Sequence, residues 1–268
     1  MTRAATAAAL KAHLAEAGRL ADVLGVDTAP PVAAAPPPPP SPAAPTPQES
    51  AAFAFADYGK FYDWLRGNDM LGPTISTSEY AGCDAILKAC ALAQSPLAYT
   101  AYTLATAYLE TAHTMQPVKE YGGTAYYRRM YDIEGQRPAK ARELGNLSPG
   151  DGAKYAGRGY PQMTGKRNYE HADKRLHELG ILREGESLVA NPDLAMRPDV
   201  AAAIMIYGMH EGWFTGKKLS DYLPASGPAT REQFVPPRRI INGQDRAKDI
   251  AGYAFGFQTA LQAGGWRF

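Results

Sequence analysis

Glu110 closes a run without charged residues, Ala89 to Leu109, inside the segment ATAYLETAHTMQPVKEYGG (Ala105 to Gly123). A carboxylate at the end of an apolar helix is expected to lose part of its hydration, the condition that favours a general acid. Position alone favours a plainer reading, the first solvated residue after a core helix. His113 makes the pattern Glu-x-x-His with Glu110. Di-iron carboxylate bundles need that pattern twice plus two further helical Glu. It occurs once here, so no metal is expected and His113 reads as a structural hydrogen-bonding residue. Glu120 follows Glu110 by ten residues, about 15 Å along a continuous helix. Pro117 argues against continuity, because proline breaks or kinks a helix interior. A turn at Met115 to Pro117 would bring Glu120 back across a cleft from Glu110. Two carboxyls about 6.5–9.5 Å apart are what an inverting glycosidase uses, one protonating the leaving oxygen and the other activating water.

A second chemical segment is YAGRGYPQMTGKRNY, Tyr155 to Tyr169. It is no phosphate loop: Gly159 and Gly165 are separated by five residues, and Lys166 is followed by Arg167. The Walker spacing needs four, then Ser or Thr after the Lys.

The elements that must hold these residues are helical. Apolar periodicity predicts helices over roughly 51–66, 77–93, 96–113, 165–179, 199–212 and 245–262. Residues 199–211 have almost no polar face, which suggests a buried helix. The uncharged run 89–109 is long enough to span a membrane. Pro96 splits it, however, and Gln94, Ser95, Thr100, Thr103 and Thr106 spread polar groups through it. It therefore reads as the central buried helix. Cys83 and Cys90 fall two turns apart on one helix, too far for a disulfide, and are expected as reduced core residues. Between 114 and 163 the chain is rich in glycine and reads as an irregular insert. No series of alternating strands and helices is present, so the fold expected is mainly α with a loop-rich catalytic insert.

Of 268 residues 45% are hydrophobic, and 28 Lys plus Arg face 27 Asp plus Glu. That balance gives no electrostatic reason to expect nucleic acid or stable membrane association. Two Cys exclude a disulfide-stapled scaffold. Ten of the 22 prolines fall between Pro30 and Pro47. Residues 29–50 thus read as an extended linker at ~3.1 Å per residue, and 1–28 as an Ala-rich helix of unknown role. Lys11, Glu16 and Arg19 interrupt any signal-peptide core. Residues 51–268 form the expected catalytic domain.

With its glycines, Gln162, Thr164 and Asn168, the segment Tyr155–Tyr169 resembles the Tyr-x-Gly-Arg-Gly-x-x-Gln-x-Thr/Ser-x-x-x-Asn-Tyr motif of glycoside hydrolase family 19, which contains chitinases and bacteriophage endolysins. Three further segments follow the family's order: ATAYLETAHT, NPDLAMRPDVAAAIMIYGM (Asn191 to Met209) and RRIINGQ (Arg238 to Gln244). The resemblance covers about 75–260 and implies a lysozyme-like, family 19 chitinase-like helical domain. It places Glu110 as the general acid and Thr164 where a hydroxyl holds the attacking water. Gln162, Asn168 and Asn242 match sugar-binding positions, while Tyr155 and Arg158 shape the cleft. Plant-type chitinases carry the second carboxylate about twenty residues after the acid, near Glu134. The endolysin branch carries it nine or ten after, at Glu120, and HTMQPVKEYGG resembles that branch. The family's Asn-Tyr-Asn is here Lys166-Arg167-Asn168, so one aromatic sugar contact is replaced.

The resemblance implies an inverting hydrolase without metal or organic cofactor, acting as a monomer on peptidoglycan glycan strands. Tyr126, Tyr127, Tyr160 and Trp213 are candidates for stacking on sugars. An endolysin held in the bacterial host cytoplasm until holin lesions release it fits a neutral chain without an export signal. A chitinase would share every motif. A non-catalytic virion protein that only binds cell wall would keep the cleft and release no reducing ends.

Overall fold

The computed structural model describes residues 51–268 apart from Pro73 and Asn242. The expected helix 1–28, the linker 29–50 and the sugar-binding assignment of Asn242 all fall outside the described residues. The segment read as one helix over 51–66 is two elements, a 3₁₀ turn at Ala51–Ala54 and helix α1 (Tyr58–Gly67). Asp57 separates them: its backbone is extended and its carboxylate caps α1, accepting from the Lys60 amide at 3.2 Å. Helix α2 (Thr77–Leu92) starts on a reciprocal cap between Ser76 and Glu79. It carries Cys83 and Cys90, both buried and free.

Helix α3 (Leu97–Glu110) is wrapped on all sides, with every residue from Ala98 to Leu109 buried. Its hydroxyls are satisfied locally. Thr103 and Thr106 donate to the carbonyls of Tyr99 and Tyr102 at 2.8 and 2.9 Å, and Thr100 donates to Ser95 at 3.2 Å. This back-bonding lets polar residues occupy an apolar interior without an unmet donor.

Beyond α3 lies the insert. Strand β1 (Val118–Lys119) pairs antiparallel with β2 (Arg158–Gly159), Val118 opposite Gly159 and Lys119 opposite Arg158. Between them run three short helices, α4 (Thr124–Tyr131), α5 (Pro138–Leu144) and α6 (Asp151–Lys154). Then come α7 (Lys166–Glu178), α8 (Pro198–Glu211) and α9 (Ala247–Gly264). Helix α8 is buried over most of its surface, as its composition suggests, and ends on left-handed Gly212.

The main core forms where α9 packs on α3 and α1, and α8 on α2. A smaller core gathers Tyr155, Tyr169, Leu176 and Leu188 with one side of α8. The described residues are mainly helical, and none of their helices is long and apolar enough to cross a membrane.

Candidate active site

The turn after α3 is made earlier than Pro117 suggests. Ala112, His113 and Met115 all adopt left-handed backbone, at φ 51°, 72° and 55°. Thr111 organises them. Its hydroxyl donates to the Ala107 carbonyl at 2.8 Å and accepts from the Met115 amide at 3.0 Å. The Met115 carbonyl presses against Gly82 on α2, where any Cβ would overlap it; the turn therefore needs glycine there. His113 lies flat on Tyr108, ring centroids 4.1 Å apart, with its Nε2 3.4 Å from the Tyr253 hydroxyl. That is a structural role. Among the described residues no three His, Cys, Asp or Glu side chains converge on a metal position.

Glu110 is not the lone carboxylate in apolar surroundings that its sequence position suggests. Its Oε1 accepts from Arg238 Nη1. Arg238 is buried on a 3₁₀ turn, Pro236–Ile240, and its Nε donates to the Asp245 carbonyl at 3.0 Å. Thr215 ties that turn to the loop after α8 by donating to the carbonyls of Arg239 and Ile240 at 2.8 and 3.0 Å. A guanidinium so fixed aims the carboxylate and offsets its charge.

Glu120 is held in another way. Its amide donates to the Gly157 carbonyl at 2.8 Å, which extends the β1–β2 ribbon by one residue. Its Oε2 accepts from the Gly157 amide at 3.0 Å and its Oε1 from the Tyr131 hydroxyl at 2.6 Å. A Cβ at Gly157 would stand 3.0 Å from Glu120 Oε2 and 3.1 Å from Gln162 Oε1, so any other residue would push the carboxylate back by a few tenths of an ångström. Burial, then donation to Glu120, raises the Tyr131 phenol above its ordinary range. Tyr131 therefore stays a donor. Among the described residues no cation forms an ion pair with Glu120, whose carboxylate accepts from these two donors.

A cleft of about 260 Å³ is lined by Tyr131, Gln162, Thr164, Asn168, Phe214 and Ile241 among others. Tyr131 links it to Glu120, and Ile241 continues the segment that carries Arg238. Thr164 is half-buried, and its hydroxyl donates to the Gln162 carbonyl at 3.0 Å. Among the described residues no donor is bonded to the hydroxyl oxygen, whose lone pairs suit a water. Gln162 sits at φ 53° and gives its amide protons to the carbonyls of Val118 and Gly159, at 2.7 and 3.0 Å. It staples the ribbon as well as lining the cleft. Asn168 Nδ2 donates to the Thr164 carbonyl at 2.8 Å, fixing the segment that presents the hydroxyl.

Tyr155 and Arg158 take no direct part in this lining. Tyr155 is buried and donates to the Val189 carbonyl at 3.1 Å. Arg158, also buried, donates to Asp193 at 2.6 Å and to the carbonyls of Lys154 and Ala156. Burial alone would raise the Asp193 carboxyl, but Arg158 and Lys119 hold it below its ordinary value. Both residues are buried and tied to backbone and to Asp193 rather than to the cleft.

Of the aromatic candidates, Tyr160 and Tyr127 are buried, and Tyr127 donates to the Glu120 carbonyl. Trp213 is half-buried, its Nε1 donating to Glu211 at 2.9 Å, and Tyr126 packs against Tyr127 and Tyr131. Glu134 is exposed and lines a different cavity from Thr164.

Three residues escape the sequence reading. Arg238 stands in a quoted motif, but nothing local assigns it to Glu110, 128 positions away. Tyr131 follows Glu120 at a spacing with no signature. Tyr121 is 73% exposed directly after Glu120, an aromatic face open to solvent; adjacency alone would have flagged it. No family model and no curated protein matches the chain.

Proposed function

We propose that the chain is an inverting glycoside hydrolase of the family 19 type, with a lysozyme-like helical domain, that cuts the β-1,4 glycan of bacterial peptidoglycan as an endolysin. One observation carries the reading. Two carboxylates joined by a tight turn are held by different partners, Arg238 for Glu110 and Tyr131 with Gly157 for Glu120, and Tyr131 also lines a cleft together with Thr164, Gln162 and Asn168.

In the reaction, Glu110 carries a proton and gives it to the glycosidic oxygen as the C1–O bond breaks. Sugar entering the cleft loosens the contact with Arg238, and the guanidinium steadies the carboxylate left after donation. Glu120 takes a proton from a water that the Thr164 hydroxyl helps to orient, and this water attacks C1 from the opposite face. The glycan strand is the partner, and the enzyme acts as a monomer. Release through holin lesions brings it from the host cytoplasm to the wall.

Reducing-end release from purified peptidoglycan, set beside release from chitin oligomers, tests the proposal. Peptidoglycan should be cut, with mass spectrometry locating the bond and the Glu110→Gln chain inactive. Turnover of chitin alone would make it a chitinase. No release from either would leave a binding protein and sink the hydrolase reading.

A further inference from the structure

Helix α4 sends Tyr131 to the cleft and its preceding turn to a second cavity. Arg128 and Arg129 line that cavity, of about 590 Å³, with Asp132, Glu134 and Gln136. They precede Tyr131 by two and three residues, about 3–4.5 Å of helical rise. The segment from α4 to α5 thus separates the two hollows. Tyr131, Lys140 and Leu144 face the cleft, while Arg128, Arg129 and Glu134 face the other cavity.

The charges there are unequally engaged. Asp132 is buried and committed to the loop, accepting from the amides of Gly150 and Gly152 at 2.7 and 3.2 Å. Among the described residues neither Arg128 nor Arg129 pairs with a carboxylate; Arg129 lies over the Tyr126 ring, 5.8 Å from its centroid. Glu134 is exposed. The cavity therefore offers two guanidiniums and one carboxylate to a ligand. Guanidiniums bind carboxylates through paired N–H groups.

We infer that this cavity binds the peptide branch of the glycan, a short acidic peptide whose carboxylates meet Arg128 and Arg129 and whose free amine meets Glu134. The identity of the ligand rests on the peptidoglycan reading above. Tyr131 at the cleft and Arg128 at the cavity stand about one helical turn apart on α4, a span that a peptide carried on the sugar's lactyl arm can bridge. Chitin has no such branch, so the second cavity would make the enzyme prefer decorated strands.

The test uses the full chain and two substrates, peptidoglycan strands with their peptides and the same strands stripped by an amidase. The ratio of kcat/KM, decorated over stripped, should be roughly tenfold or more, the equivalent of one good contact. Arg128→Ala with Arg129→Ala should bring the ratio near one, and the paired Arg→Lys substitutions should leave it between. A wild-type ratio near one, or an unchanged ratio in the double alanine chain, overturns the inference. Titration with the free tripeptide L-Ala–γ-D-Glu–diaminopimelate, followed by NMR, separates the two proposals. Saturable binding lost in the double alanine chain upholds the cavity even if no glycan is cut. Absence of binding overturns it even if glycan is cut.

Discussion

Glu110 and Glu120 are fixed by groups of different charge, and their variants should differ accordingly. Glu110→Gln keeps an oxygen for Arg238 to bond but has no proton to deliver, so turnover should fall by roughly 10²–10⁴. Glu120→Gln should cost a similar factor with little change in Tm, because an amide oxygen can still accept from Tyr131 or Gly157. Glu134→Gln should leave turnover on stripped strands nearly unchanged, since Glu134 is exposed and lines the other cavity. Azide should rescue only the chain lacking its base, giving an inverted glycosyl azide. An inactive Glu134→Gln beside an active Glu120→Gln would move the base to the chitinase-type position. Thr164→Val tests the water. It removes the hydroxyl at nearly constant volume, so kcat should fall by about tenfold or more while KM moves little. An unchanged kcat would remove Thr164 from the mechanism. Glu110 was readable because it terminates an uncharged run; Arg238 was not, because no local pattern reports a partner so far along the chain.

At the scale of elements, α8 carries a built-in acid sensitivity. His210, in its last turn, places Nε2 3.1 Å from the Ser95 hydroxyl and stacks edge-on against Tyr99. Burial holds the imidazole below its ordinary value, with the Glu211 charge opposing it. In the unfolded chain His210 takes up a proton near pH 6.5, whereas in the fold it stays neutral to lower pH. The unfolded state then binds more protons, so stability should fall as pH drops below about 6.5. Glu186, Asp193 and Glu211, held low by their arginine partners against partial desolvation, act in the same sense, but only below about pH 5. Thermal unfolding between pH 7 and 5 should show the slope, and His210→Gln should flatten it; an equal slope in both chains would refute the assignment. The long helices could be read from periodicity, whereas β1 and β2, two residues each, cannot repeat a pattern. Helices α4 to α6 are likewise too short, at eight residues or fewer, for periodicity to separate them from loop.

At the scale of the molecule, a mainly α domain was legible because apolar spacing is a property of whole segments. The cleft was not, since it joins residues from four separate stretches whose meeting depends on how the two cores pack. One closure made by the backbone has a practical outcome. The first described residues are zipped to the last: the amides of Ala56 and Asp57 donate to the carbonyls of Gly265 and Gly264 at 3.0 and 2.9 Å, and the Arg267 amide donates to Ala54 at 3.0 Å. Trp266 also donates its Nε1 to the Ser95 carbonyl at 3.1 Å, just ahead of α3. Glu110 ends the same helix, about 20 Å away at 1.5 Å per residue. A circular permutant that joins residue 268 to residue 51 through a short glycine linker and opens the chain at the exposed Gly227 should keep its Tm within a few degrees and still cut glycan. Collapse of that chain would show that the zipped pole does not tolerate a covalent link between residues 268 and 51. A cargo or leash spliced at residue 51 or residue 268 leaves from the pole remote from Glu110, so on the proposed reading the protein can be moored there with its cleft left free for glycan.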